Sequence, residues 1–320
     1  MRAIRVYEFG EPDVMRLEAV DDLEVGPDEA RVRVFAAGVN PVETYIRAGH
    51  YGKLPALPFT PGTDVAGVVE AVGEGVADLA VGDRVYSFGT VSGAYAEHAV
   101  CRREQLYRLP SVASFDEGAA LGVAAATAWR ALFQKGAARA GQRVLVQGAS
   151  GGVGSTCVQL ARAAGLGVVG TAGTAEGLER VRALGAHAAF DHRDPACLEA
   201  AMSHTGGRGF DLVIEMLANV NLARDLEVLA PGGRVVVVGS RGRVEIEPRQ
   251  LMARDASVVG LVLFNASPAE LAEVHAGLFA SLEARTLVPL IGRRFGLDQA
   301  AEAHRAVMRP GAMGKIVLVP

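Results

Sequence analysis

Cysteine is scarce: Cys101, Cys157 and Cys197 are the three in 320 residues, odd in number and far apart. That excludes a disulfide framework and suits a reducing compartment. A basic excess is also missing, because 32 Lys and Arg stand against 36 Asp and Glu for a formal net charge of −4. Without basic runs a nucleic-acid partner is not expected. No apolar run reaches the roughly 18 residues that a membrane span requires. The opening "MRAIRVYEFGEPDV" lacks the apolar core of a secretion signal, so a cytoplasmic location is expected. Aromatics make up only 6% of the chain, whereas glycine is abundant at 39 residues, a balance that fits tight turns and ligand contacts made by backbone.

The chain is long enough for two domains. Its first part reads as short strands, "AIRVYEF", "EARVRVFAAGV", "VAGVVEAVG", "DRVYSF" and "AYAEHAV", separated by turn signals at Gly10, Gly26-Pro27, Gly73 to Gly75 and Gly82-Asp83. This spacing predicts an antiparallel, barrel-like β-domain. From about residue 117 the texture changes to the alanine-rich helical stretch "DEGAALGVAAATAWRALFQK". The apolar runs "RVLVQG", "GVVGTAG", "HAAFDH", "FDLVIEM" and "GRVVVVGS" then alternate with helical segments. Such continuous runs predict strands buried on both faces of a parallel sheet, an α/β doubly wound domain. After Ser257, "VVGLVLF" leads to a helix capped by Ser267 with Pro268 at its start. The closing strand "GKIVLV" is expected to return to the β-domain. The domains are therefore placed at 1–117 with 258–320, and at 118–257.

Residues 149–154 read Ala-Ser-Gly-Gly-Val-Gly, a G-x-G-x-x-G pattern with alanine at its first position. A strand precedes it and a helix follows, the context of a Rossmann dinucleotide loop. Gly151 would let backbone approach a pyrophosphate, Gly154 would let the helix pack on the strand, and the helix N-terminus would face the phosphates. About 20 residues further on, an Asp or Glu ordinarily accepts the ribose hydroxyls of NAD. Here that window is "TAGTA", 171–175, with no carboxylate to repel a 2′-phosphate. NADPH is the expected cofactor, with Gly173 and Thr174 offering room and hydrogen bonds. Arg180 reads as a solvated surface charge, and His192-Arg193 ends the third strand of this domain.

A β-domain followed by a dinucleotide-binding domain and a returning tail resembles the medium-chain dehydrogenase/reductase superfamily. Many members hold a catalytic zinc through Cys, a Gly-His-Glu segment and a second Cys or Asp. In this chain Asn40 stands near the first ligand position and Thr63-Asp64 replaces His-Glu. No thiolate or imidazole cluster occurs, so no metal is expected, and Asp64 reads as a structural turn residue. The stretches "RAIRVYEFGEPDVMRLE", "GVNPVETYIRAGHY", "QGASGGVG", "IEMLANVNL" and "VVVVGSRGRVEIEPR" resemble the zinc-free quinone oxidoreductases of the zeta-crystallin group over essentially the whole chain. That resemblance implies a GroES-like first domain, NADPH-dependent quinone reduction, and a homodimer or homotetramer.

Carried over by position, the resemblance implies cofactor contacts at Tyr45, Ser150, Gly151, Gly152, Val153, Gly173, His192, Asn221, Val238, Gly239, Ser240 and Arg241. Tyr45 would lie near the nicotinamide and Arg241 could supply the charge missing from 171–175. Competing structural readings stay open: Tyr45 as packing, His192 as a strand-end cap, Asn221 as a helix N-cap. The chain departs from the group at "LGVAAATAWRAL", where small side chains at Val123 to Ala126 suggest a wider substrate pocket. Quinones are good acceptors, so orientation against the nicotinamide supplies much of the catalysis. Asn40, Tyr45 and Thr127 are the candidates to stabilise the developing oxyanion, with His50 and Tyr51 as nearby alternatives. An NADPH-dependent 2-alkenal or enone reductase is a second reading. A non-enzymatic NADPH- or RNA-binding protein is the third.

Overall fold

The computed structural model describes residues 1–311 and 313–320, and these form two compact units, Met1–Ala124 with Pro289–Pro320, and Ala125–Val288. The first begins with β1 (Arg2–Val6) and β2 (Met15–Ala19), an antiparallel ribbon. It continues through β3 (Glu29–Val39), β4 (Asp64–Val72), β5 (Arg84–Ser87), β6 (His98–Arg102) and β7 (Leu106–Arg108), with helices α1 (Pro41–Arg47) and α2 (Phe115–Gly118). Period-two alternation in "EARVRV" turns Ala30, Val32 and Val34 inward while the arginines point out, and β3 pairs with β4 and β6 on its two sides.

The second unit holds strands β8 (Arg143–Val146), β9 (Gly167–Ala172), β10 (Ala188–Asp191), β11 (Phe210–Glu215), β12 (Leu229–Val237) and β13 (Ser257–Gly260). They form one parallel sheet in the order β10-β9-β8-β11-β12-β13. The order reverses between β8 and β11, the switch point beside which α/β sheets bind ligands. Its helices are α3 (Ala126–Trp129), α4 (Gly152–Ala163), α5 (Ala175–Ala183), α6 (Cys197–Ser203), α7 (Ala218–Asp225), α8 (Pro248–Met252) and α9 (Pro268–Glu283). Ser267 caps α9 in a capping box with Glu270, as the sequence predicts.

The chain then returns to the first unit through β14 (Ile291–Gly296), α10 (Ala300–Met308) and β15 (Lys315–Val319). β15 pairs antiparallel with β3, the expected homecoming of the closing strand, and the first unit's main sheet runs β14-β15-β3-β4-β5-β7. The boundaries differ from the expected 117 and 258. β13 is the sixth strand of the parallel sheet, and α9 stays with it, so the return comes only at Pro289. Of the run "VVGLVLF", only its first three residues belong to a strand, and Leu263–Asn265 is a helical turn.

Each unit has its own core. Ile4, Val32, Val69, Leu106 and Leu318 anchor one, and Leu145, Phe210, Val213, Leu226 and Val235 the other. Truncating such a side chain to alanine costs about 2–5 kcal/mol. All three cysteines are buried and unpaired. Among the described residues no helix is long and apolar enough to cross a membrane.

Candidate functional site

The predicted cofactor residues of the second unit gather along one edge of the parallel sheet, each just beyond the C-terminal end of a strand. Residues 147–153 follow β8, Gly173 follows β9, His192 follows β10, Asn221 lies in the helix after β11, and Val238 to Arg241 follow β12. Five adjacent strands thus present their loops to the same side. The left-handed turn out of β8 falls at Gly148 (φ 64°) rather than at Ala149, which removes the strain that an alanine there would have carried. Ala149 is fully buried, and Gly170 makes room for it: a Cβ at Gly170 would stand 2.8 Å from that of Ala149. At Gly154 a Cβ would come within 2.3 Å of the Gly148 carbonyl oxygen, so helix and strand meet there as closely as the fingerprint predicts.

α4 begins at Gly152 with Gly151 as N-cap and no side chain capping it. Its first-turn N–H groups and the positive end of its dipole are therefore left for an anion. Beside Gly151 a Cβ would meet only the Gly148 oxygen, at 3.6 Å. A pyrophosphate fits this backbone cradle. Next to it, His192 lies against Gly173, where a Cβ would stand 2.7 Å from Nε2. Burial lowers the His192 pKa from its ordinary value, which favours the neutral ring. Thr174 caps α5 by accepting from the Gly177 N–H at 3.0 Å, so one lone pair of its hydroxyl is committed. Arg180 is exposed in α5, as expected.

Asn221 does not cap a helix. α7 starts at Ala218 with Leu217 as its N-cap residue, and Asn221 stands one turn inside, its Nδ2 donating to Glu215 Oε1 at 3.1 Å. Glu215 also accepts the Leu217 N–H, so a carboxylate at the strand end does the work of the missing cap. Beyond β12, the Val238 N–H donates to the Glu215 oxygen at 2.8 Å and the Ala218 N–H to the Gly239 oxygen at 2.9 Å. A Cβ at Gly239 would come within 2.6 Å of the Met216 oxygen, so the two loops touch through backbone. Ser240 Oγ donates to the Gly242 oxygen, and the Arg241 N–H to Asn219 Oδ1 at 2.7 Å. Arg241 itself is exposed. Thr127 lies buried in α3 of this unit.

In the first unit Asn40 is the N-cap residue of α1, Pro41 is the helix's first residue, and the Glu43 carboxylate accepts the Asn40 N–H at 2.8 Å. Asn40 Nδ2 donates to Glu43 Oε1 (3.2 Å) and to Asp64 Oδ2 (2.9 Å), and its Oδ1 accepts from Lys315 Nζ. Both amide protons are spent on carboxylates, so the expectation that Asn40 donates to an oxyanion is corrected: no donor remains. Asp64 is no turn residue either. It opens β4, fully buried, and takes Lys315 Nζ at 2.8 Å. Glu43 further accepts from Thr63 N and Oγ1 and from Tyr95 OH (2.7 Å), which lies 3.1 Å from His304 Nε2. Burial, then the Asp64 charge, push the Glu43 pKa up, and burial drops that of His304 to about 3. Tyr45 stands half-buried on α1.

The zinc-binding dehydrogenase family matches residues 152–279, and the alcohol dehydrogenase GroES-like domain matches 26–111. A human quinone oxidoreductase is 47% identical over 321 residues, covering 100% of this chain and 98% of that protein. The chain belongs to the quinone oxidoreductase family. Within the wider medium-chain dehydrogenase/reductase fold, a solved NAD-dependent alcohol dehydrogenase superposes with a TM-score of 0.93 at 30% identity, covering both chains fully. The quinone oxidoreductase of Escherichia coli, solved with NADPH, gives 0.90 at 27%, again over the full length of both.

A zinc ion meets a poor fit in this chain. Where zinc ligands would stand, Asn40, Thr63 and Asp64 bind one another's neighbours and a lysine ammonium. Among the described residues no three His, Cys, Asp or Glu side chains are placed to hold a metal. Several members of the two networks escape notice in the sequence. Glu43 is foreshadowed by the Asn-x-x-Glu spacing of a capping box, and Glu215 by an acid closing the apolar run "FDLVIE". Lys315 stands at the edge of a buried strand without any local pattern to mark it.

Proposed function

We propose that this chain reduces quinones, ortho-quinones among them, with NADPH as reductant and without a catalytic metal. The observation that carries this reading is an uncapped α4 beside a 171–175 window that holds no carboxylate and in which Gly173 lies against His192. Bound NADPH supplies the hydride. The N–H groups of Gly152 and Val153, with the Ser150–Gly151 backbone beside them, hold the pyrophosphate. His192 and Arg241 flank the adenosine end with Gly173, and the 171–175 window, free of carboxylates, accepts the 2′-phosphate. Asn221 and the Val238–Ser240 backbone line the later loops.

Transfer of that hydride to the quinone would leave a hydroquinone monoanion, which a single proton from water would complete. The negative charge growing on the quinone oxygen calls for a hydroxyl donor, and Tyr45 is the candidate on the first unit and Thr127 the candidate on the second. Asn40 acts upstream of them by fixing the start of α1, the helix that carries Tyr45. Zinc independence is supported by Lys315, whose ammonium lies on Asn40 and Asp64 and opposes a second cation there. Self-association into a dimer or tetramer is supported by β13, an edge strand with Val258 exposed on it and Val262 exposed just beyond its end. A cytoplasmic setting belongs to the same proposal.

The test is oxidation of NADPH or NADH by an ortho-quinone, then by a 2-alkenal, in EDTA. Fast NADPH oxidation by the quinone is expected. Turnover of the alkenal alone would move the substrate to enones, and equal use of NADH would overturn the argument from the missing acid. Tight NADPH binding without turnover would point instead to a binding protein.

A further inference from the structure

A chain of buried side chains runs behind the dinucleotide loop. The Gly148 N–H donates to Thr171 Oγ1 (3.1 Å), whose hydroxyl donates to Gln147 Oε1 (2.8 Å), and Gln147 Nε2 donates to Asp225 Oδ1 (2.8 Å). Asp225 in turn meets Glu215, which holds Leu217 N and Asn221 Nδ2 on its other oxygen. The loops after β8 and β11 are thereby joined through two carboxyl groups, both fully buried.

Glu215 Oε2 and Asp225 Oδ2 receive no donor from any described residue. Two carboxylates in contact inside a protein cannot both stay charged, and one proton held between those oxygens satisfies both. Burial, with the Glu215 charge second, raises the Asp225 pKa strongly, and burial raises that of Glu215 too. The surroundings supply no strong counter-charge. Arg224, on the same helix, is exposed and donates to the Pro195 oxygen. From β10 and α6, His192, whose pKa burial lowers, and Cys197, whose thiol burial pushes up, line a small cavity with Gln147, Asn221 and Arg224.

We propose that Glu215 and Asp225 share one proton and serve as positioning residues, holding the Gly148 turn and the Leu217–Asn221 segment in register for the dinucleotide. Loss of that proton in alkali releases the register and weakens NADPH binding. The role rests on the cofactor reading above.

NADPH dissociation constants measured by fluorescence titration from neutral to alkaline pH test it. The wild-type constant should rise about tenfold per pH unit once the pair ionises, with kcat at saturating NADPH little changed. NADH should show the same alkaline limb, since the 2′-phosphate plays no part in it. Asp225→Asn and Glu215→Gln put a neutral amide where the protonated carboxyl stood, and each should flatten the profile near its neutral value. A flat wild-type profile, or an unchanged limb in both variants, overturns the positioning role. No binding at neutral pH overturns the cofactor reading and this role with it. If the variants fail to fold, infrared spectra of the wild-type chain decide. A buried protonated carboxyl band at neutral pH that disappears as NADPH binding weakens supports the pair, and its absence overturns it.

Discussion

Lys315 brings one ammonium to the amide of Asn40 and the carboxylate of Asp64, with Glu43 one hydrogen bond further on. Removing one partner of a buried ion pair leaves the other charge without compensation, which typically costs about 3–5 kcal/mol. Lys315→Met should therefore lower the unfolding free energy obtained from urea titration by about that amount. Adding Asp64→Asn should restore most of it, because the second change removes the stranded charge. A double variant no more stable than Lys315→Met alone would mean that Lys315 acts through packing of its stem and not through the pair.

At the scale of elements, the junction of β8 with α4 is the tightest requirement. Gly154→Ala puts a methyl 2.3 Å from the Gly148 oxygen, so helix and strand must part. NADPH affinity should fall by about tenfold or more, because the first-turn N–H groups leave their line. Fluorescence titration against unchanged far-ultraviolet circular dichroism checks this. This junction was legible in the sequence, since strand, glycines and helix are local patterns; β3, read as "EARVRVFAAGV", spans Glu29–Val39 as written. What was not legible depended on partners distant in sequence. The run after Ser257 is apolar whether it ends one sheet or starts another, and only pairing with β12 assigns its beginning to the parallel sheet. Asn221 looks like an N-cap because Asn favours that position. The helix starts three residues earlier, since Glu215 at the strand end accepts the Leu217 N–H. Likewise, nothing near Asn40 reveals that a lysine 275 residues away will occupy its oxygen.

Across the whole molecule, buried titratable groups set both limbs of the stability curve. Burial lowers the pKa values of His275 and His304 from 6.5 to about 3. The unfolded chain takes up protons below 6.5 that the folded chain refuses, so stability is full above that value and falls as pH drops toward 3. Asp225 works in the opposite sense, because its raised value makes the folded chain hold a proton that the unfolded chain has lost. Its contribution is present in acid and fades as pH rises toward about 9. Melting temperatures across this range should peak between the limbs. His304→Gln should make the acid limb shallower, and an unaltered acid limb in that variant would remove His304 from the account. The three sequestered cysteines have a consequence for the chemistry proposed above. Quinones arylate thiolates by conjugate addition, and an enzyme that gathers them risks being consumed by its own substrate. Burial holds the Cys101 thiol up at about 12 and raises those of Cys157 and Cys197. A chain built this way keeps all three of its thiols out of reach of the electrophile it handles.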